Sequence, residues 1–156
     1  MKKVLKCRLK NYYEVTSKLE PWATGKKYPI EALHVNDIWA SVPKAVIHQG
    51  QEFYEPIKAS ILKNGMHFPI MVIKATRNEI LDQKAIWGDK ILDPPFWMAE
   101  DMNVIQPVVW GGSNRLYIAR ELGYTHIDCA IMPSFNEAHK LQKTMREPFA
   151  QHYPMG

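Results

Sequence analysis

Apolar and polar positions change period several times along the chain, and this pattern predicts strands that alternate with helices. Short alternating or continuous apolar runs indicate strands, whereas apolar residues three or four positions apart indicate helices. The predicted strands cover 28–35, 69–74, 107–110 and 127–132, and the predicted helices cover 52–64, 114–122 and 134 to about 145. This order, with an insertion over 75–106 after the second strand, is typical of the α/β (α+β) class.

Capping and helix-breaking residues define the bounds of the predicted helices. Pro56 suits the first turn of the first helix, and Gly65 ends it. Ser113 is the predicted N-cap of the second helix, and Gly123 is its C-terminal stop. The third helix opens on Ser134-Phe135-Asn136-Glu137, which has the Ser-x-x-Glu form of a capping box.

The insertion over 75–106 has the least regular pattern. Thr76-Arg77-Asn78 resembles a turn, 80–91 suggests a short strand or hairpin, and two prolines exclude a regular element over 93–98. The insertion supplies the large apolar side chains of Trp87, Phe96, Trp97 and Met98. Two interpretations stay open: a lid over a substrate, or an extra core layer or oligomer contact, of which the second is favoured.

The composition is typical of one globular domain, with 46% hydrophobic and 23% charged residues. We divide the chain into a basic lead-in over 1–27, a domain over 28–133 and a C-terminal helix and tail over 134–156. No apolar run approaches the roughly 18 residues of a membrane span, and the start of the chain does not resemble a secretory signal. Two distant cysteines predict free thiols in a reducing cytoplasm.

The formal net charge is +4, and much of the excess lies in the lead-in. A basic arm of this kind contacts nucleic-acid phosphates in one interpretation, and is a solvated, mobile end in the other. The charge therefore permits an anionic partner without identifying it.

The most informative motif is Trp110-Gly111-Gly112-Ser113-Asn114-Arg115, which joins a strand to the second predicted helix. An arginine in the first turn of a helix is unfavourable, because the helix N-terminus already carries partial positive charge. A bound anion makes the same placement favourable, because the glycines let the anion approach the backbone closely and the guanidinium binds phosphate oxygens. The alternative is a tight turn in which Ser113 merely caps the helix. No Walker A or dinucleotide fingerprint occurs.

Two segments resemble the ParB/sulfiredoxin superfamily. The run Gly112-Ser113-Asn114-Arg115-Leu116-Tyr117-Ile118-Ala119 has the Gly-x-x-Arg-x-x-x-Ala form of its phosphate motif, and 57–72 is similar to its helix–Gly–Pro-Ile–strand segment. The resemblance covers 28–133. It implies a small mixed sheet with flanking helices that binds a nucleotide, ATP or CTP with Mg²⁺, at the start of the second helix. Many stand-alone copies are encoded by bacteriophages, and this chain resembles those copies, which implies a cytoplasmic protein, located in the host cytoplasm if the chain is phage-encoded.

The resemblance also implies the residues of the site. Phosphate contacts fall on Gly111, Gly112, Ser113, Asn114 and Arg115, with Lys44 in the loop before the first helix and with Phe68 and Pro69 beside the nucleotide. Ser113 stands where sulfiredoxin has its catalytic cysteine, so sulfinic-acid reduction is not expected. Phe68 replaces the polar residue that partition proteins place near the cytosine. Candidate carboxylates for a base or magnesium are Glu31, Asp37 and Glu55, while Arg115 would neutralise charge during transfer.

Three functions are consistent with these residues. The leading hypothesis is a small NTPase or phosphotransferase. The second is a non-catalytic DNA-binding or adaptor module that uses the basic N-terminus, and the third is a ParB-like nuclease, which no dense carboxylate cluster supports. The sequence leaves the base preference, the phosphoryl acceptor and the oligomeric state open.

Overall fold

The computed structural model of the chain describes residues 1–15, 22–40, 51–76, 78–80, 82, 105–110 and 112–144, with the side chains of 51–53 and 142–144 left aside. The strands are β1 (Val4–Leu5), β2 (Tyr12–Glu14), β3 (Lys27–His34), β4 (Ile70–Thr76), β5 (Ile105–Val109) and β6 (His126–Met132). The helices are α1 (Gln51–Asn64), α2 (Ser113–Glu121) and α3 (Phe135–Thr144). The chain therefore has a mixed α/β fold.

One mixed sheet joins the six strands in the order β2-β3-β6-β4-β5, with β1 also paired to β6. Strand β6 is central: it runs antiparallel to β3 and parallel to both β4 and β1. The register pairs Val4 with His126 and Ile70 with Cys129, so β1 and β4 follow one another along the same side of β6. This arrangement places the start of β4 beside the middle of β6.

The two faces of the sheet form two separate cores, because successive strand residues point to opposite faces. Ile70 and Val72 of β4 belong to the first core, whereas Met71 and Ile73 belong to the second. The first core also contains buried side chains of α1 and α2, and the second contains buried side chains of α3. Helices on both faces thus cover the sheet, and α2 lies over the face that includes Ile70.

The seven elements predicted from residue 28 onward are confirmed, each bound lying within two residues of the prediction. Two local assignments were wrong. Pro56 is the sixth residue of α1 rather than a first-turn residue. Ser113 is the first residue of α2, and Gly112 is its N-cap.

The start of the insertion is also different from the prediction of a turn followed by a strand. Residues 78–80 are helical. The Thr76 hydroxyl accepts a hydrogen bond from the Glu79 N–H at 3.2 Å, and the Glu79 carboxylate accepts one from the Thr76 N–H at 3.2 Å. These reciprocal bonds form a capping box, which favours a helix start. The aromatic residues Trp87, Phe96 and Trp97 lie outside the described residues, as does Met98.

The N-terminal segment is part of the sheet, although the sequence predicted no strand before residue 28. The Lys3 N–H donates to the Thr125 hydroxyl at 2.7 Å, and the Cys7 N–H donates to the Asp128 carboxylate at 2.9 Å. Strand β1 adds ladder pairing to β6. The backbone of these residues is therefore bonded to the domain, whereas their lysines and arginines are exposed to solvent.

Candidate functional site

The turn that opens α2 requires glycine at position 112. Gly112 has φ 122° and ψ 21°, a conformation that other residues rarely adopt. A Cβ atom there would lie 2.5 Å from Cγ2 of Ile70 and 3.1 Å from Nη2 of Arg115. The Gly112 carbonyl accepts the first helical bond, from the Leu116 N–H at 3.0 Å. The missing side chain thus lets the backbone pack directly on β4 and on the guanidinium.

Arg115 is folded back beneath the first turn of its own helix. Its side chain is almost fully buried, with the residue 8% exposed, and Nη1 donates a hydrogen bond to the Phe68 carbonyl at 2.6 Å. That carbonyl belongs to the segment that leads into β4. Arg115 therefore fixes a positive charge at the helix end that already carries partial positive charge.

The rest of the first turn adds no negative charge. No acidic residue lies in the first turn of α2, and no side chain caps it. Ser113 is buried and Asn114 is half-buried. The structure therefore brings four predicted phosphate residues (Gly112, Ser113, Asn114 and Arg115) together with Phe68, and Pro69 follows Phe68 as a buried residue.

The opposite end of α2 is anchored by bonds that suit a helix C-terminus. Arg120 donates from Nε to the Val35 carbonyl at 3.0 Å and from Nη2 to the Ile38 carbonyl at 2.9 Å. After Glu121 the chain turns at Gly123, with φ 82°, and the Tyr124 N–H bonds back to the Ala119 carbonyl at 3.0 Å. These contacts close a Schellman motif and hold α2 against the rest of the domain.

Two further hydrogen bonds tie the C-terminal end of α2 to α1. The Tyr54 hydroxyl and the Lys58 ammonium both donate to the Glu121 carboxylate, at 2.7 and 2.9 Å. Burial raises the pKa of Tyr54, and the Glu121 carboxylate raises it further. Tyr54 is therefore a neutral donor at pH 7, and the orientation of α2 is fixed at both ends.

Each predicted carboxylate has neighbours outside this turn. Glu31 on β3 forms an ion pair with Lys74 on β4, with Oε2 and Nζ 2.6 Å apart. Asp37 lines an open groove with His34 and Lys74. Glu55 is exposed on α1, where its charge acts on Tyr54 and Lys58, the residues that bind Glu121.

The described residues also offer no ready-made metal centre. Within them, no group of three or more histidine, cysteine, aspartate or glutamate side chains could hold a metal ion. Gly111 and Lys44 lie outside the described residues, and their predicted roles stay predictions.

Tyr13 is a neighbour of the turn that sequence reasoning missed. Its ring packs edge-on against Phe68, with centroids 5.8 Å apart. Burial raises the pKa of Tyr13 to about 12, and the nearby Arg115 charge acts in the opposite direction. The sequence offered no signal for this contact, because Tyr13 lies on the unpredicted strand β2.

The cysteines are placed for packing rather than for reaction. Both are free thiols, and Cys129 is buried in the first core. Burial raises the pKa of Cys129 and raises that of Cys7 to about 11. A thiol with a raised pKa is a poor nucleophile near pH 7, because the thiolate is the reactive form.

No protein-family model matches the chain, and no curated protein sequence matches it. Among the residues that the structure describes, no helix is long and apolar enough to cross a membrane.

Proposed function

We propose that the N-terminal turn of α2 binds the phosphates of a nucleoside triphosphate, ATP or CTP, in a domain of ParB/sulfiredoxin-like fold. The observation that carries this proposal is the Arg115 guanidinium held beneath the first turn of its own helix by the Phe68 carbonyl at 2.6 Å. The Gly-x-x-Arg-x-x-x-Ala resemblance supports the same residues.

Electrostatics favours an anion at this turn. A charge near a helix terminus changes stability by about 0.3–1 kcal/mol, and by up to about 2 kcal/mol in partly buried geometry. The helix dipole on its own opposes the positive charge of Arg115. The electrostatic energy of the turn becomes favourable when a phosphate interacts with both the guanidinium and the helix N-terminus, because two positive groups then share one negative group.

The proposed contacts follow from the position of each residue. Backbone N–H groups of Ser113 and Asn114 would bind phosphate oxygens, and Arg115 would neutralise their charge. Gly112 keeps the turn packed on Ile70 so that these groups keep their direction. Phe68 and Pro69 would flank the nucleotide, and Mg²⁺ would accompany the triphosphate.

We further propose that the domain is a small NTPase or phosphotransferase. Arg115 would stabilise the negative charge on the transferring phosphoryl oxygens. The binding step is supported by the geometry of the turn, whereas the transfer step is supported only by the motif. Glu31 is paired with Lys74. We assign no catalytic base.

A thermal-shift series tests the binding step. ATP, CTP, GTP and UTP are each added with Mg²⁺ to the wild-type protein. A ligand at a hundred times its Kd contributes about 2.7 kcal/mol, which is about 5–10 °C in Tm for a chain of this size. We expect such a shift with ATP or CTP, and its loss in Arg115→Ala.

Arg120→Ala is the matched control. It removes an arginine of the same helix and is expected to lower the Tm without nucleotide, because two carbonyl bonds are lost. The rise in Tm that the nucleotide causes, measured from the lower Tm of this variant, should persist. Wild-type protein that no nucleotide stabilises would contradict the binding proposal, and binding without phosphate release would contradict the NTPase alone.

A further inference from the structure

The N-terminal segment carries the whole charge excess of the protein. Residues 1–15 contain five lysines and arginines, which are Lys2, Lys3, Lys6, Arg8 and Lys10, and a single carboxylate, Glu14. The segment therefore has a formal charge of +4, equal to that of the entire chain, and the other 141 residues are neutral on balance. The net positive charge of the chain is thus concentrated in this segment.

The backbone of this segment is attached to the domain, and its cations face solvent. Lys6, Arg8 and Lys10 are exposed, whereas Cys7 and Leu9 pack against the first and second core respectively. The Cys7 N–H donates to Asp128 at 2.9 Å and the Arg8 N–H donates to the His67 carbonyl at 3.2 Å. The fold therefore holds the segment on the domain and leaves these three cations exposed.

A fourth cation extends this surface onto α1. The Arg8 guanidinium donates from Nη2 to the Asn64 carbonyl at 3.1 Å, at the C-terminus of α1. Lys63, the exposed residue before Asn64, lies in the last turn of that helix. We call Lys6, Arg8, Lys10 and Lys63 the basic stripe.

The charges of the basic stripe are not neutralised within the described part of the chain. The ion pairs found there involve Lys26, Lys27, Lys58 and Lys74, and none involves the stripe. The acidic residues nearest in sequence or contact form no ion pair with the stripe: Glu14 pairs with Lys27, and the Asp128 carboxylate accepts the Cys7 N–H. The stripe can therefore release its counterions to a polyanion.

An exposed aromatic ring adjoins the stripe. Tyr12 follows Lys10 by two residues and is 44% exposed, the Lys27 ammonium lying 4.7 Å from its ring centroid. Cations beside an exposed aromatic ring are a recurring arrangement in proteins that bind nucleic-acid strands, where the ring stacks on a base.

We propose that the basic stripe binds the sugar–phosphate backbone of a nucleic acid, with Tyr12 available for stacking on a base. A nucleic acid suits the surface better than an anionic membrane does, because the exposed Tyr12 ring can stack on a base while Cys7 and Leu9 pack inward. Leu62, next to Lys63, is exposed, and vesicles therefore stand among the probes of the test. This activity is separate from nucleotide binding at α2.

Fluorescence anisotropy with labelled oligonucleotides of about 20 nucleotides tests the proposal. Duplex DNA, single-stranded DNA and RNA of one sequence are titrated at several salt concentrations against the full chain. The test variant is Lys6→Gln/Lys10→Gln/Lys63→Gln, which leaves the Arg8 contacts in place. The control, Lys58→Gln/Lys74→Gln/Lys140→Gln, lowers the net charge equally at other positions.

The stripe variant should weaken binding by tenfold or more at low salt while the control changes it much less. Each phosphate contact adds about 0.9 to the salt slope on duplex and about 0.7 on a single strand, so the slope should fall by up to about 2.7 or 2.1. Equal losses in both variants would overturn the proposal, as would binding by the stripe variant at wild-type strength. Wild-type binding to vesicles with anionic lipid, but not to any oligonucleotide, would also overturn it.

A thermal melt of each variant confirms that it is folded. The ATP and CTP shifts of the stripe variant should equal those of the wild type, because α2 is unchanged. Loss of oligonucleotide binding with intact nucleotide shifts thus separates this surface from the site at Arg115.

Discussion

The N-termini of α2 and α3 are built in opposite ways. At α3 the Ser134 hydroxyl accepts a hydrogen bond from the Glu137 N–H at 3.1 Å, and Glu137 supplies an acid in the first turn. At α2 the N-cap is Gly112, no side chain caps the turn, and the charged first-turn residue is Arg115. A helix start is normally stabilised by the first arrangement and opposed by the second.

The difference separates a structural helix start from a candidate binding one. Glu137 also accepts hydrogen bonds from Lys26 at 2.6 Å and from Tyr28 at 2.8 Å, so its charge is used inside the domain. Arg115 has its Phe68 contact, but its charge has the wrong sign for the helix end it occupies. This difference supports the proposal that the N-terminus of α2 binds an anionic ligand.

The largest expected effect comes from Gly112→Ala. The added Cβ would meet Ile70 at 2.5 Å in a backbone conformation with φ 122°, so overpacking and strain add together. We expect a loss of about 3 kcal/mol or more in the free energy of unfolding, measured by urea denaturation.

Gly123→Ala is the control for that substitution at the other end of α2. Gly123 also has a positive φ, of 82°, but a Cβ there meets nothing within 4 Å. Its cost should be about 1–2 kcal/mol, from backbone strain alone. Equal costs for the two variants would show that Gly112 is not packed on β4 as described.

Acid titration tests the α3 side of the comparison. Partial burial raises the pKa of Glu137, but hydrogen bonds from Lys26 and Tyr28 outweigh it and lower the pKa overall. Because the pKa of Glu137 is lower in the folded than in the unfolded state, its carboxylate stabilises the protein at pH values above the unfolded-state pKa of about 4.3. This stabilisation is lost as the pH falls through the folded-state pKa.

Glu137→Gln should therefore destabilise the protein by about 1.5 kcal/mol at pH 7 and reduce the loss of stability in acid. Urea denaturation at pH 7 and at acidic pH measures both effects. A variant with the wild-type acid profile would show that Glu137 is not the charged acceptor of Lys26 and Tyr28.

The smallest effect comes from adding a carboxylate to each helix start. Asn114 and Asn136 are both the second residue of their helices. Either Asp variant should gain about 0.5 kcal/mol of stability from the helix dipole. Only Asn114→Asp should weaken nucleotide binding, measured by calorimetry, because only its carboxylate would repel the phosphates. Equal affinities in both variants would contradict the assignment to α2.

Sequence patterns predicted the elements that depend on local signals. The Ser134-x-x-Glu137 motif indicated its helix correctly, although Glu137 uses its carboxylate on Lys26 and Tyr28 rather than on the cap. The same signature at Thr76 and Glu79 caps helical residues 78–80, where the pattern of Thr76-Arg77-Asn78 predicted a turn.

Long-range contacts were not predictable from local pattern. Strand β1 has two residues and depends on pairing with β6, which is more than 100 positions away in the sequence. The Phe68 carbonyl that holds Arg115 is 47 residues distant, so the motif suggested a charge at the turn without indicating what positions it. Tyr13 joined the site for the same reason, through pairing of β2 with β3.

Amide chemical-shift mapping during nucleotide titration tests the central claim most directly. ATP or CTP with Mg²⁺ is added to ¹⁵N-labelled protein, and the two helix starts are compared in one spectrum. We predict saturable shifts for the amides of Gly112, Ser113, Asn114 and Arg115, with those of Phe135, Asn136 and Glu137 unchanged. Saturable shifts elsewhere that leave the four α2 amides unmoved would contradict the account.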